Sequence, residues 1–310
     1  LACWSFFMKR KVIQLAGNTL VVSLPKAWAI KHSVKKGDEI TINEKGSIIE
    51  IHSNGGYMHS EQEVDLRGST PRTALYMLAG LHHIGVDEFH IRYNDEKVLE
   101  LIQNLLQEGF IGFMIVKQEP ECVTIRSIAP NNPMEFNATL RRAFLVAISL
   151  AKSSAQLIQE KKFNQLNKLL QLEKVNNQLT FFCERVVVKH GLQGKKDFFV
   201  YMIPSYLNKI ADRYRDICVA LEKEKSTAIS NEVMRFYDDV NNLLYLYYEV
   251  YYQFNIEKVN EIGNIRNELI SRSNDLIKVA EPLERIIIMN LYEIVRRICN
   301  SMSSTVILNL

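Results

Sequence analysis

Lys11-Val-Ile-Gln-Leu15, Ala16-Gly17-Asn18 and Thr19-Leu-Val-Val-Ser-Leu24 follow one another without interruption, and Pro25-Lys-Ala-Trp-Ala-Ile-Lys-His32 comes directly after them. The first run alternates as a half-buried strand does, the Gly-Asn pair marks a turn, and the β-branched third run returns as a second strand. Pro25 stands where a helix begins without losing a hydrogen bond, so 26–32 is predicted to make about two helical turns. Beyond the turn Lys36-Gly37-Asp38, residues 39–43 and 47–51 are predicted to form a second hairpin across Glu44-Lys45-Gly46. The unit is β-β-α-β-β in under fifty residues. That is too small to bury a stable core alone, which predicts dimerisation or packing on the rest of the chain.

Working outward, the chain has 310 residues, 47% hydrophobic and 24% charged, enough for two or three domains with a sizeable core. No run of 18 apolar residues occurs, which argues against a membrane-spanning helix. Five scattered cysteines without a Cys-x-x-Cys pair argue against a disulfide scaffold or zinc knuckle, and for a reducing, cytoplasmic setting. Residues 1–8 precede or include the first methionine, Met8, and are set aside as read-through or a tag.

Charge is unevenly distributed. The whole chain carries only +3, but 1–53 has eight Lys/Arg against four Asp/Glu, 54–130 has six against eleven, and 131–310 has twenty-four against twenty. Lys9, Arg10, Lys11, Lys26, Lys31, Lys35 and Lys36 all precede the first acidic residue, Asp38. Such a stretch is either a solvated basic face or the footprint of a polyanion partner.

The strings Arg10-Lys-Val-Ile-Gln-Leu15, Gly17-Asn18-Thr19, Val22-Ser-Leu-Pro-Lys-Ala-Trp28 and Val34-Lys-Lys-Gly-Asp-Glu-Ile40 resemble a swapped-hairpin domain of the AbrB/SpoVT type over 9–53. The resemblance implies a dimer of interleaved hairpins that binds double-stranded DNA. It carries the contact role by position to Lys9, Arg10, Lys11, Gln14, Asn18 and Lys26. Arg and Lys neutralise phosphates, and Arg, Gln and Asn also reach base edges. On a strand, however, Lys9 and Lys11 would alternate with Arg10, and Asn18 suits a turn at positive φ as well as it suits a base contact. Trp28 is expected in the core.

Asn54-Gly55-Gly56 reads as a linker. From 60 to 128 the pattern is β-α-β-α-β-β, with strands at 64–66, 88–93, 111–117 and 122–126 and helices at 71–83 and 95–107, a small α/β layer. Its surplus of acids would repel DNA, which suits a scaffold. Glu61 and Glu63 are placed in the linker. His82, His83 and His90 do not make a metal site, because adjacent histidines on one helix face different ways.

From 131 onward Gly and Pro almost vanish. Ile203, Leu207, Ile210, Tyr214, Ile217 and Leu221 step by four and three, as do Val175–Val186 and Leu283–Met302. Breaks near Lys161, 191–194, Lys225, Asn255 and Pro282 divide 133–308 into six helices, predicted as two three-helix units. The overall fold class is multi-domain α+β. Six helices in two triplets resemble the PhoU family, and Leu207-Asn-Lys-Ile-Ala-Asp-Arg-Tyr-Arg-Asp-Ile217 resembles its helix motif. The resemblance implies a phosphate-signalling role and a metal held by carboxylates four apart. Here Asn208 replaces one carboxylate, leaving Asp212 and Asp216 as weak metal candidates that otherwise pair with Arg213 and Arg215. In the second copy Tyr292 and Arg296 stand where carboxylates would be. A divalent or iron-type metal is therefore disfavoured and no other cofactor is expected.

Tyr245, Tyr247, Tyr248, Tyr251 and Tyr252 are expected in the core or at a partner interface. No phosphate loop, dinucleotide fingerprint, nucleophile elbow or His-Glu-x-x-His occurs, so no enzyme is expected. Two functions remain. One is a DNA-binding transcriptional regulator of phosphate-responsive genes with a helical sensory domain. The other is a PhoU-like adaptor that docks on a phosphate transporter or signalling kinase and uses the hairpin domain only to dimerise.

Overall fold

A computed structural model describes residues 9–15, 17–45, 48–53, 60–129, 132–224 and 228–310. The segment 1–8, the linker at 54–56 and the break at Lys225 lie outside the described residues. The chain divides at 58/59 into two compact units.

The first unit contains β1 (Ile13–Leu15) and β2 (Thr19–Val21), an antiparallel hairpin in the register Ile13↔Val21, Gln14↔Leu20, Leu15↔Thr19. Helix α1 (Lys26–Lys31) follows, with Pro25 at its N-cap. Strands β3 (Ile40–Lys45) and β4 (Ile48–Ser53) pair antiparallel as a separate two-stranded sheet. The first two strands are shorter than the alternation of apolar residues predicts, since residues 9–12 form no ladder. Trp28 is only half-buried, against His32 with ring centroids 4.9 Å apart, because this unit has no deep interior to receive it.

The second unit begins with a four-stranded sheet. β5 (Glu61–Asp65) runs parallel to β6 (Glu88–Arg92), while β8 (Cys122–Ser127) is antiparallel to both β6 and β7 (Phe113–Glu119), giving the order β5-β6-β8-β7. Glu61 and Glu63 thus belong to an edge strand and not to the linker. Helices α2 (Pro71–His83) and α3 (Glu96–Glu108) cover one sheet face with Ala74, Leu78, Val98 and Ile102, all fully buried. Thr70 caps α2 through the Thr73 amide and Asp95 caps α3 through the Lys97 amide, side-chain oxygens filling the donors a helix start leaves open.

Six long helices complete the unit: α4 (Phe136–Gln159), α5 (Leu170–His190), α6 (Asp197–Leu221), α7 (Asn231–Tyr252), α8 (Ile256–Val279) and α9 (Pro282–Asn309). Each of α4–α6 packs on the others, each of α7–α9 does likewise, and α6 with α9 and α4 with α7 join the two triplets. The seam from Ile203 to Leu221 is fully buried, and it meets Ile287, Leu291, Ile294 and Ile298 of α9 in a continuous core. Among the described residues no helix is long and apolar enough to cross a membrane.

The sheet layer and the bundle meet at α5, which packs against α2 and α3. Gly85, at φ +95°, ends the turn after α2, and a Cβ there would lie 3.2 Å from Lys189 Cβ, so the backbone approaches α5 only because it carries no side chain. Arg185 of α5, with no exposed surface, reaches across to Asp87 and the His82 carbonyl.

The tyrosine run of α7 is mostly internal. Tyr247 is buried and bonds Ser301, and the rings of Tyr247, Tyr248, Tyr251 and Tyr252 gather around Phe144. Only Tyr245 is well exposed, at 43%, so the run does not form the contact surface that an adaptor would present.

Candidate nucleic-acid interface

The β1–β2 hairpin is closed by Gly17, at φ +83°, a conformation that costs glycine little. Asn18 is exposed beside it but has no positive φ, so the conformational reason offered by the sequence for an Asn does not apply. Gln14 is also exposed, yet its side-chain amide donates to the Gly17 carbonyl at 2.9 Å. One N–H of its amide thus helps hold the turn, leaving the second N–H and the side-chain carbonyl for other partners.

Lys9, Arg10 and Lys11 are all exposed and all precede the first ladder bond. Because no ladder constrains this stretch, its side chains are not forced onto alternating faces. The three cations are free to address one polyanion together, which a strand at 9–11 would have prevented. Lys26 is exposed on the first turn of α1, where no acid offsets it. Gln14 and Asn18 lie at the opposite end of β1 from the three cations, next to the turn.

A second feature of this unit bears on its self-association. Among its described side chains none is fully buried, and Val12, Ile13, Leu15, Leu20, Val22, Ile30, Ile42 and Ile49 are each more than half exposed. Ile13 and Leu15 lie on one face of the hairpin and Leu20, opposite Gln14, on the other. Apolar side chains on both faces of one hairpin are what an interleaved partner would cover. Each such side chain gains roughly 1.5–3 kcal/mol when fully buried. The small size of the unit and the resemblance to interleaved hairpins were the signals in the sequence for this.

The metal candidates are engaged elsewhere. Arg215 donates to Asp212 at 2.9 Å, to Asp216 at 2.8 Å and to Glu173 of α5 at 3.0 Å, while Lys209 lies 3.3 Å from Asp212 and Arg213 2.9 Å from Asp216. Burial raises the Glu173 carboxyl, with Arg215 and the Asn177 amide opposing it. Asn208, where the motif has a carboxylate, bonds Asn177 at 2.5 Å. Among the described residues no group of three or more His, Cys, Asp or Glu is arranged around a point that could hold a metal ion.

The histidines diverge as their spacing predicts. His82 is buried and stacks on Phe110 at 4.1 Å, whereas His83 turns to Glu184 of α5 at 3.3 Å. That carboxylate, a hundred residues away in sequence, is one the spacing along the helix did not reveal. Burial pushes the Glu184 carboxyl up to about 8 against the pull of Lys209 and Tyr201, and burial with Lys209 and Arg185 pushes His83 down to about 4.

Residues 13–53 match the family model of the bacterial antitoxin MazE, described as antidote-toxin recognition. The match supports the resemblance of the hairpin unit to domains of the AbrB-like swapped-hairpin class. The match does not extend to the sheet layer or the helices. A comparison with curated proteins gives no match, and neither does a comparison with solved structures.

Proposed function

We propose that the protein is a homodimeric, DNA-binding transcriptional regulator whose helical region receives a signal or a partner. The observation that carries this reading is the placement of Lys9, Arg10 and Lys11, all exposed at the head of a hairpin domain of the MazE/AbrB-like class. Lys26, Gln14 and Asn18 are the further contacts assigned to the duplex. The cations release counterions from phosphates, which supplies affinity, while Arg10, Asn18 and the side-chain amide of Gln14 supply hydrogen bonds to bases. Dimerisation through the apolar faces of the hairpins doubles the cationic surface and sets two half-sites.

The finer assignment, a phosphate-responsive regulator with a PhoU-like bundle, rests on the helix pattern and the motif at 207–217 alone. The reading assigns the chain no catalysis and no metal, and it places the protein with DNA in the cytoplasm. Binding of the full chain to DNA upstream of its own gene, titrated with salt, tests it. Affinity is expected to fall as a power of salt concentration, with a log–log slope near −0.9 per phosphate contacted. No binding at low salt overturns the reading.

The matched family's description, antidote-toxin recognition, favours one alternative. In it the hairpin unit serves to dimerise, and the chain neutralises a partner protein. A chain that dimerises, ignores DNA at low salt and copurifies in fixed stoichiometry with a second protein would identify that alternative.

A further inference from the structure

On the outer side of the bundle, α7 and α8 enclose a groove occupied by two adjoining cavities of 390 and 530 Å³. Leu243, Leu246, Ile265, Leu269 and Leu276 form its floor, with Tyr245 exposed at its edge. From Glu232 to Glu249 on α7 it runs for about 25 Å at 1.5 Å per residue. A helix of about seventeen residues has that length, and a groove between two antiparallel helices is the seat into which a third packs its ridge of side chains.

The rim is acidic. Glu232, Asp239, Glu249, Glu261, Glu268 and Asp275 line the groove against one cation, Arg272. Arg272 pairs with Asp239 at 2.5 Å, Lys258 reaches Glu249 at 2.8 Å and Lys278 reaches Asp275 at 2.9 Å. Glu232, Glu261 and Glu268 have no ion pair within 4 Å among the described residues, although the Lys258 ammonium held by Glu249 also feels Glu261. The surrounding chain has the opposite sign, since residues 131–310 carry twenty-four Lys/Arg against twenty Asp/Glu. A cationic partner is therefore drawn to this stripe and not to the surface at large. Nucleic acid is repelled by the same rim, and the carboxylates are spread along the helices and do not converge on a cation.

We infer that the α7–α8 groove docks a basic amphipathic helix of a partner protein, its apolar seam on the leucine floor and its Lys and Arg side chains against Glu232, Glu261 and Glu268. This is independent of DNA binding by the hairpin unit.

The test uses the full chain and a fluorescein-labelled eighteen-residue helical peptide with a leucine seam flanked by lysines, beside an otherwise identical peptide carrying glutamates. Fluorescence anisotropy should show saturable binding of the lysine peptide at least tenfold tighter than of the glutamate peptide. Glu261→Lys with Glu268→Lys, both exposed, should weaken it at least tenfold, whereas the control reversals Glu96→Lys with Glu100→Lys on α3 should not. Equal binding of the two peptides, or equal loss in groove and control variants, overturns the inference. So does loss of self-association in the groove variant, which would make the groove an interface between copies of the chain. Unchanged circular dichroism in the variants separates lost docking from lost folding.

Discussion

Arg185 and Asp87 form a buried ion pair at 2.8 Å, joining α5 of the bundle to the start of the second strand of the sheet layer. Arg185 also donates to the His82 carbonyl at 2.7 Å and lies 5.0 Å over the Phe113 ring. Asp87 accepts in turn from Lys189 and from the Ser60 amide. Burial alone would raise the Asp87 carboxyl, but Lys189, the Ser60 amide and Arg185 together hold it below the ordinary carboxylate value. Burial lowers the Arg185 guanidinium to about 10, with Asp87 opposing the shift. Ser60 is the first described residue after the hairpin unit, so the chain enters its second unit at a point fastened to the bundle.

Breaking this pair on one side leaves a buried charge without its partner. Asp87→Ala or Arg185→Ala should each destabilise the second unit by roughly 3–5 kcal/mol, and a double variant with apolar residues of similar volume should recover much of that. Urea unfolding followed by circular dichroism reads the difference. Single variants within about 0.5 kcal/mol of the parent would mean that the pair adds nothing.

The burial of Glu184 and of His83 gives stability a pH dependence. Glu184 titrates near 8 in the fold, above its ordinary value near 4.5, so its contribution is fully present below about 4.5 and is lost as pH rises through about 8. His83 is shifted down to about 4, so the fold loses stability as pH falls from about 6.5 through 4. Glu184→Gln should flatten the alkaline loss between pH 6 and 9, measured as the urea midpoint at each pH. An unchanged alkaline limb would show that Glu184 does not carry it.

Dimerisation should depend on the apolar faces of the hairpins. Leu20→Glu combined with Ile49→Glu places charge on side chains that are 67% and 66% exposed in a single chain. Light scattering after size exclusion should show the parent as a dimer and this variant shifted to monomer, with the second unit still folded. A monomeric parent, or a variant that remains fully dimeric, contradicts the assignment.

The helices were legible because each apolar stripe is local: Ile203 to Leu221 repeats every three or four residues and needs no distant partner to be recognised. The ends of α2 and the start of α3 near 95 were legible for the same reason. β5 was legible only at its end, as a strand at 64–66, since Glu61-Gln-Glu-Val-Asp65 has one apolar residue and takes the rest of its strand form from parallel pairing with β6. The Asp87–Arg185 pair and the approach of His83 to Glu184 span about a hundred residues, which no spacing rule connects. At the interface itself, the six candidate residues were legible as types, and all are exposed. That the cations precede the first ladder bond and that Gln14 is tied to Gly17 depend on how the hairpin closes, which single residues do not announce.

The most direct measurement is the salt dependence of DNA binding by the full chain beside a variant with Lys9, Arg10 and Lys11 all replaced by alanine. If the three cations meet phosphates, the variant binds more weakly at every salt concentration, and the magnitude of its log–log slope falls by about 2.7 per chain engaged. A slope unchanged by removing all three would contradict DNA recognition through the head of the hairpin.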